Sequence, residues 1–186
     1  VFWPAWEWGP RNAPSNRYVN ASYSQDLATR DNRKCRLLIG SPFYQSLWGD
    51  RFQIDSDQDS KIKYENDKTG FKFATSVGGI GTGERGDRFV VDDPHNAKDT
   101  ESDLKREAAC RWFSESVTTR VNSPEKSAIL VIMQRLHERD VSGVIFEKDM
   151  GYDHLMIPME FEPERRCYSM VKPSYLDDKP REVFYH

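Results

Sequence analysis

The chain has little sulfur, with three cysteines in 186 residues, Cys35, Cys110 and Cys167. Scattered and odd in number, they suit reduced thiols in a cytosolic protein better than a disulfide framework or a zinc site. No apolar run approaches the roughly 18 residues of a membrane span. A net charge of -3 gives no global field to draw in nucleic acid, so any such contact has to be a local patch. The opening VFWPAWEWGP has neither an initiator Met nor a basic n-region and does not read as a signal peptide. There is no internal repeat and no low-complexity tract. What is present in quantity is aromatic. Five Trp, eight Tyr and ten Phe argue against disorder despite a mean hydropathy of -0.78. The length suffices for one domain with a sizeable core and is too short for two large ones.

The pattern along the chain alternates strands and helices. After a Pro-rich opening of sixteen residues, RYVNASY (17–23) predicts a strand. Ser24 then caps a helix over about 25–38 that carries Leu27, Leu37 and Leu38. KIKYENDKTGFKFATS alternates on both sides of Asn66–Gly70 and predicts a hairpin with a five-residue turn. GGIGTGERGD (78–87) is a glycine-rich loop. Thr100-Glu-Ser-Asp103 has the form of a capping box, opening a helix to about Thr119 with Leu104, Ala108, Trp112, Phe113 and Val117 on one face. SAILVIM (127–133) is apolar throughout, as a strand buried on both faces would be. Asp140 caps a short helix containing Val144 and Ile145, and HLMIPMEF (154–161) reads as a last strand. Together these predict an α/β fold with a mostly parallel sheet.

RFVVDDPH (88–95) carries the chemistry. An apolar strand runs into two adjacent carboxylates and is stopped by Pro94. Burying charge is costly unless it is paired or coordinated, so the strand is expected to deliver the acids to a surface where a cation or a reacting group is met. In parallel α/β sheets such surfaces lie at the carboxyl ends of the strands, and SAILVIMQR also turns polar at its end. An apolar strand closing on two acids has the form of a Walker B motif, and also of a strand end whose acids merely cap the next turn. His95 and His137 flank the two strand ends as metal ligands or as structural hydrogen-bonding groups. Arg30, Arg33 and Lys34 share a helix face, with Arg36 nearby, and suit phosphate or plain solvent.

The segments ASYSQDLA, GGIGTGERGD, RFVVDDPHNAKD, RWFSESVTTRV and above all ILVIMQRLHERDVSG resemble, in order and spacing, the ATPase domain of tailed-phage terminase large subunits, the motors that pump DNA into procapsids. The likeness runs from about Arg17 to Glu162. It implies a P-loop NTPase-like (RecA/ASCE type) sheet flanked by helices, here without its P-loop strand and helix. It implies a partial ATPase domain over 1–162 and, over 163–186, a linker or the start of the region towards a nuclease domain. ATP and Mg²⁺ are the implied cofactors. Asp92 becomes the Mg²⁺-side acid. Asp93 stands where many relatives have a catalytic Glu that positions the attacking water. Gln134 lies where these motors contact the γ-phosphate and couple its state to movement, and its amide can both donate and accept. Arg85 matches an arginine that reaches a neighbouring subunit's nucleotide, with pairing to Glu84 or Asp87 as the simpler alternative. The implied partners are double-stranded viral DNA, the portal protein, the small terminase subunit and further copies in a ring. The implied setting is the host cytoplasm, at the procapsid and away from membrane.

No G-x-x-x-x-G-K-[ST] occurs in the chain. The resemblance places that motif ahead of Val1 and the nuclease domain beyond His186. Two other functions fit the residues. One is a metal-dependent nuclease that uses Asp92 and Asp93, which requires further carboxylates on neighbouring strand ends. The other is a binding module without catalysis.

Overall fold

Tyr18–Ser22 forms β1, the strand around which the sheet is ordered. The computed structural model describes residues 1–79, 83–156, 160, 164, 167–171 and 181–185, with backbone alone at 56–59, 167–171 and 181–185. β1 pairs in parallel with β4 (Phe71–Ser76) on one side and β5 (Arg88–Asp92) on the other, and β5 pairs in parallel with β6 (Ala128–Ile132). Beyond β4 the sheet turns antiparallel through β3 (Lys63–Asn66) and β2 (Ile54–Asp59), giving the order β2-β3-β4-β1-β5-β6. The expected mostly parallel α/β sheet is therefore present, with an antiparallel margin.

Strand alternation assigns the helices to faces. Tyr18 lies opposite Lys72 and Arg88 in register, so all three side chains share one face. That face carries α1 (Phe2–Trp8) and α2 (Gln25–Ile39), because Glu7 of α1 bonds Tyr18 and Arg88 while Asn32 of α2 bonds Lys72. Val19 and Phe89 share the other face, where Trp112 meets Phe89 edge-on with centroids 6.4 Å apart. Trp112 closes α4 (Asp103–Trp112), which continues into a π-helical turn, Phe113–Val117. The aromatic core lies on the α1 side. Trp8, fully buried, packs edge-to-face against Tyr18, Phe52 and Tyr64, a geometry that favours each pair beyond its buried area.

Several expectations change in detail. α2 begins after Ser24 as read, yet its buried stripe is Ala28, Asn32, Cys35 and Ile39, and Leu37 is exposed. Asn32 belongs inside because it is fully used. Its Nδ2 donates to the Lys61 and Ile62 carbonyls, and its Oδ1 accepts from the buried Lys72 ammonium at 2.9 Å. Burial holds Lys72 below the ordinary lysine range, against the opposing pull of Cys35 and Asp31. In the hairpin Asn66 stays in the strand, and its side chain accepts from the Lys68 and Gly70 amides across a shorter turn. The capping box is not formed. Thr100 donates to the Asn96 carbonyl instead, and α4 starts at Asp103. Leu104 of the expected face is 79% exposed, and the buried stripe is Arg106, Ala109, Cys110, Phe113 and Val117. Among the described residues β6 is an edge strand, with Leu130 and Ile132 partly in solvent, where a strand buried on both faces was expected.

β2 and α3 (Pro42–Trp48) were not expected from the sequence. The Asp140-capped helix is α5 (Val141–Glu147). The chain divides into two units, Val1–Glu147 and Lys148–His186. In the second unit β7 (Cys167–Val171) and β8 (Arg181–Tyr185) pair antiparallel, within the stretch expected as a linker or the start of a following region. Of the strand expected over 154–161, residues 154–156 are not strand, and 157–159 and 161 lie outside the described residues. Cys35 and Cys110 are buried. Among the described residues no helix is long and apolar enough to cross a membrane.

The Glu7 carboxylate ties α1 to the sheet. It accepts from Arg11 Nη1, Asn16 Nδ2, the Tyr18 hydroxyl, and Arg88 Nε and Nη2. Glu7 is fully buried and the Arg88 side chain is 13% exposed. Removing one partner of such a pair typically costs about 3–5 kcal/mol. Glu7→Ala is expected to lose that much in urea unfolding, and a loss below about 1 kcal/mol would show the network to be dispensable.

Candidate functional site

β5 is buried at Phe89, Val90 and Val91, half-buried at Asp92, and followed by an exposed Asp93. Asp92 sits opposite Ser22 of β1 and Ile132 of β6, at the carboxyl end of the parallel strands. Alternation turns its side chain to the α2 face. Burial raises the Asp92 carboxyl above its ordinary range, and the nearby charges of Asp93 and Asp31 push the same way. Here the acids that end a buried strand crowd one another, which a cation would relieve.

Asp93 stops the strand through its backbone. Its φ is +47°, a left-handed turn that Asp tolerates better than most residues. The turn is locked on both sides. Asp93 N donates to the Ile132 carbonyl at 2.8 Å, and its carbonyl accepts from Tyr23 N at 2.9 Å. The end of β5 is thus pinned to both neighbouring strands while the Asp93 side chain stays in solvent.

Gln134 lies two residues beyond β6 and is exposed, on the same end of the sheet as Asp92 and Asp93. The loop it opens is organised by Asp140. One carboxylate oxygen of this fully buried residue accepts from the Leu136 and His137 amides at 3.1 and 3.3 Å. The other accepts from the Ser142 hydroxyl and the Gly143 amide at 2.7 and 2.9 Å, capping α5. Burial alone would raise the Asp140 carboxyl, but these hydrogen bonds outweigh it and hold the group below its ordinary range. At Gly143 a Cβ would stand 2.0 Å from the Glu138 carbonyl oxygen, so only glycine lets α5 pass this close to the loop.

The histidines take structural hydrogen bonds. His137 Nδ1 accepts from Arg139 N at 3.0 Å. His95, 7% exposed, accepts on Nε2 from Val141 N at 3.0 Å. Burial lowers its tendency to protonate, and Arg106 adds to this while Asp140 opposes it. His95 also lines a cavity of about 300 Å³ together with Tyr23, Gly78, Asn96, Lys105 and Arg106. The cationic groups in it are already engaged. Arg106 donates to the Thr100 carbonyl and to Asp103, and Lys105 pairs with Asp99 at 2.6 Å.

Arg85 is elsewhere. It lies ahead of β5, at the amino end of the sheet, exposed, with Nη2 donating to the Thr119 carbonyl at 3.2 Å. Neither expected acid holds it, since Glu84 pairs with Lys63 and Asp87 accepts from Arg17 N and Asn122. β5 is five residues long, roughly 15 Å, so Arg85 and Asp93 of one chain stand at opposite ends of it. The centre of the glycine loop, 80–82, lies outside the described residues. Arg30, Arg33 and Lys34 are exposed on α2, with Arg30 and Lys34 against Asp31.

Asp31 carried no expectation, Asp140 was expected only as a helix cap, and His95, expected as a metal ligand or a structural hydrogen-bonding group, takes the structural role. A polar residue at an N-cap position, a glycine three residues on, and a histidine just past Pro94 were the available signals. Among the described residues no group of three or more His, Cys, Asp or Glu is placed to hold a metal ion. Asp92 with Asp93 does suit Mg²⁺ in the form in which that ion usually binds, one or two carboxylates with water and substrate phosphates completing its shell.

Asp140→Ala is expected to lose about 1–2 kcal/mol at neutral pH. The depressed Asp140 pKa sets the pH dependence. Its contribution is complete above the unfolded value of about 3.9 and is lost as pH falls through the lower folded value. Denaturant unfolding of both proteins at pH 7 and in the acid limb should show the gap closing. A gap independent of pH would contradict this.

Comparison with protein-family models and with curated proteins finds no match for the chain.

Proposed function

We propose that the chain is the ATPase motor portion of a viral DNA-packaging terminase large subunit, a P-loop NTPase-like fold that couples ATP hydrolysis to DNA translocation. One observation carries the reading. Asp92, Asp93 and Gln134 stand together at the carboxyl end of two adjacent parallel strands, the place where such sheets put their chemistry. Asp92, already crowded by Asp93 and Asp31, is the residue to hold Mg²⁺. When bound, that ion neutralises phosphate charge. The exposed Asp93 carboxylate accepts a hydrogen bond from the attacking water and orients it, its backbone locked on both sides so that the acceptor has a fixed origin. Gln134 offers both a donor for a phosphate oxygen and an acceptor for water.

Arg85 fits no role at the nucleotide of its own subunit, being at the other end of β5. In this proposal it acts on a neighbour's nucleotide across a ring interface, with double-stranded DNA, the portal and the small subunit as the partners of the assembly in the host cytoplasm. The nuclease alternative lacks support because no third carboxylate joins Asp92 and Asp93 in a metal-binding group among the described residues.

Residues 1–186 contain no G-x-x-x-x-G-K-[ST] and are expected to show no ATP hydrolysis above background by themselves. In the P-loop-bearing parent, Asp93→Asn should lower turnover by about 10²–10⁴ with nucleotide affinity nearly unchanged. Retained turnover would remove Asp93 from the chemistry, and robust Mg²⁺-dependent hydrolysis by residues 1–186 would overturn the P-loop requirement. Mixing ring-forming Asp93→Asn and Arg85→Ala subunits should restore part of the activity at interfaces that join an intact Asp93 to an intact Arg85. No recovery in rings verified by light scattering would leave Arg85 a structural residue of its own subunit, bound to Thr119.

A further inference from the structure

The loop carrying Gln134 is held at both ends by the same short segment. Where it leaves β6, Asp93 N donates to the Ile132 carbonyl at 2.8 Å. Where it enters α5, Val141 N donates to His95 Nε2 at 3.0 Å. Between these points the loop is closed on itself by Asp140, which takes the Leu136 and His137 amides. The loop is thus tied internally and joined at its two ends to the segment Asp93–His95.

The second clamp is an unusual one. Val141 is fully buried and His95 nearly so, so the bond is shielded from competing water and an unmet donor there would carry the full desolvation cost. Val141 N–H is one of the amides at the start of α5 that have no partner within the helix. Asp140 already serves the Gly143 amide, and the imidazole supplies what the cap does not. To accept on Nε2, the ring carries its proton on Nδ1.

We propose that His95 is a positioning residue of the site, fixing the Gln134 loop to the acidic end of β5 through Val141. Its effect on turnover rests on the ATPase reading above, whereas the clamp itself does not. His95 touches no reacting atom. It sets the distance between the strand end that presents Asp93 and the loop that presents Gln134, so a change in one is felt at the other.

The test reads amide exchange at Leu136 and His137, the loop donors that depend on its closure, in the 186-residue chain. His95→Leu removes the acceptor and Val141→Pro removes the donor. Proline is well tolerated at the first position of a helix, so the second variant guards against the first failing to fold. Each should speed loop exchange about tenfold, as expected for loss of one buried hydrogen bond, with β1 and β5 amides unchanged. The double variant should be no faster than either single one, because both remove the same bond. His95→Gln, which offers a carboxamide oxygen at similar reach, should restore most of the protection. Unchanged loop exchange in either single variant, or additive effects in the double, would overturn the proposal. In the P-loop-bearing parent, His95→Leu should lower kcat by about tenfold, the same lost bond now felt at Gln134, with KM nearly constant. A loosened loop in a parent that has no ATPase activity would keep the clamp and sink the ATPase reading instead.

Discussion

A single buried carboxylate decides where the central strands begin. Glu7 cannot be left unpaired in the core, and its bonds to Tyr18 and Arg88 join the first residues of two neighbouring strands that are already register partners. Sliding β5 along β1 by one residue would break the Arg88 contact and turn Phe89 and Val91 to the wrong face. Fixing the start of β5 at Arg88 also fixes its end, four residues later, at Asp92. The position of the acidic pair is therefore inherited from an ion pair at the opposite end of the sheet, next to an aromatic core that keeps water away from it.

At the carboxyl end the organisation changes from packing to hydrogen bonding. Asp93 is held through its main chain, the Gln134 loop through Asp140, and the two meet at His95. None of these bonds consumes the Asp93 carboxylate or the Gln134 amide, which remain in solvent. The residues that support this end of the sheet are thus different from those whose polar groups it leaves exposed. It also distinguishes this edge from the nearby cavity, where Arg106 and Lys105 are occupied in holding the loop before α4.

Local signals in the sequence carried much of this. Period-two alternation located β3 and β4, continuous apolar runs located β5 and β6, and Asp140 announced α5. What failed were features decided by neighbours distant in sequence. SAILVIM has the composition of a doubly covered strand, but whether a strand is central depends on sheet order, which no window along the chain contains. The face of α4 was misjudged because Arg106 is buried and Leu104 is not, an inversion of hydropathy that a specific pair of bonds to Thr100 and Asp103 compensates. Thr100 had a second partner in Asn96, and the capping box lost to it. α3 could have been read from Ser41 followed by Pro42, a cap with proline at the first helical position, and Ser41 does accept from Tyr44 N. The placement of the acids and Gln134 at one end of the sheet was legible because both strand ends turn polar. The service of His95 was not, since a hydrogen bond to an amide forty-six residues away leaves no local mark.

The left-handed backbone at residue 93 bears on the choice of acid as well as on its placement. Asp and Asn enter that region more readily than longer side chains do, because their short polar groups find local hydrogen bonds. A glutamate there would bring its carboxylate a methylene further out but would pay in conformational strain at a residue whose amide and carbonyl are both committed. The shorter acid is thus the one that the turn itself selects, and any group met at this position is met at aspartate's reach. Comparing Asp93 with Glu would mix two effects, reach and backbone strain, whereas Asn isolates the charge.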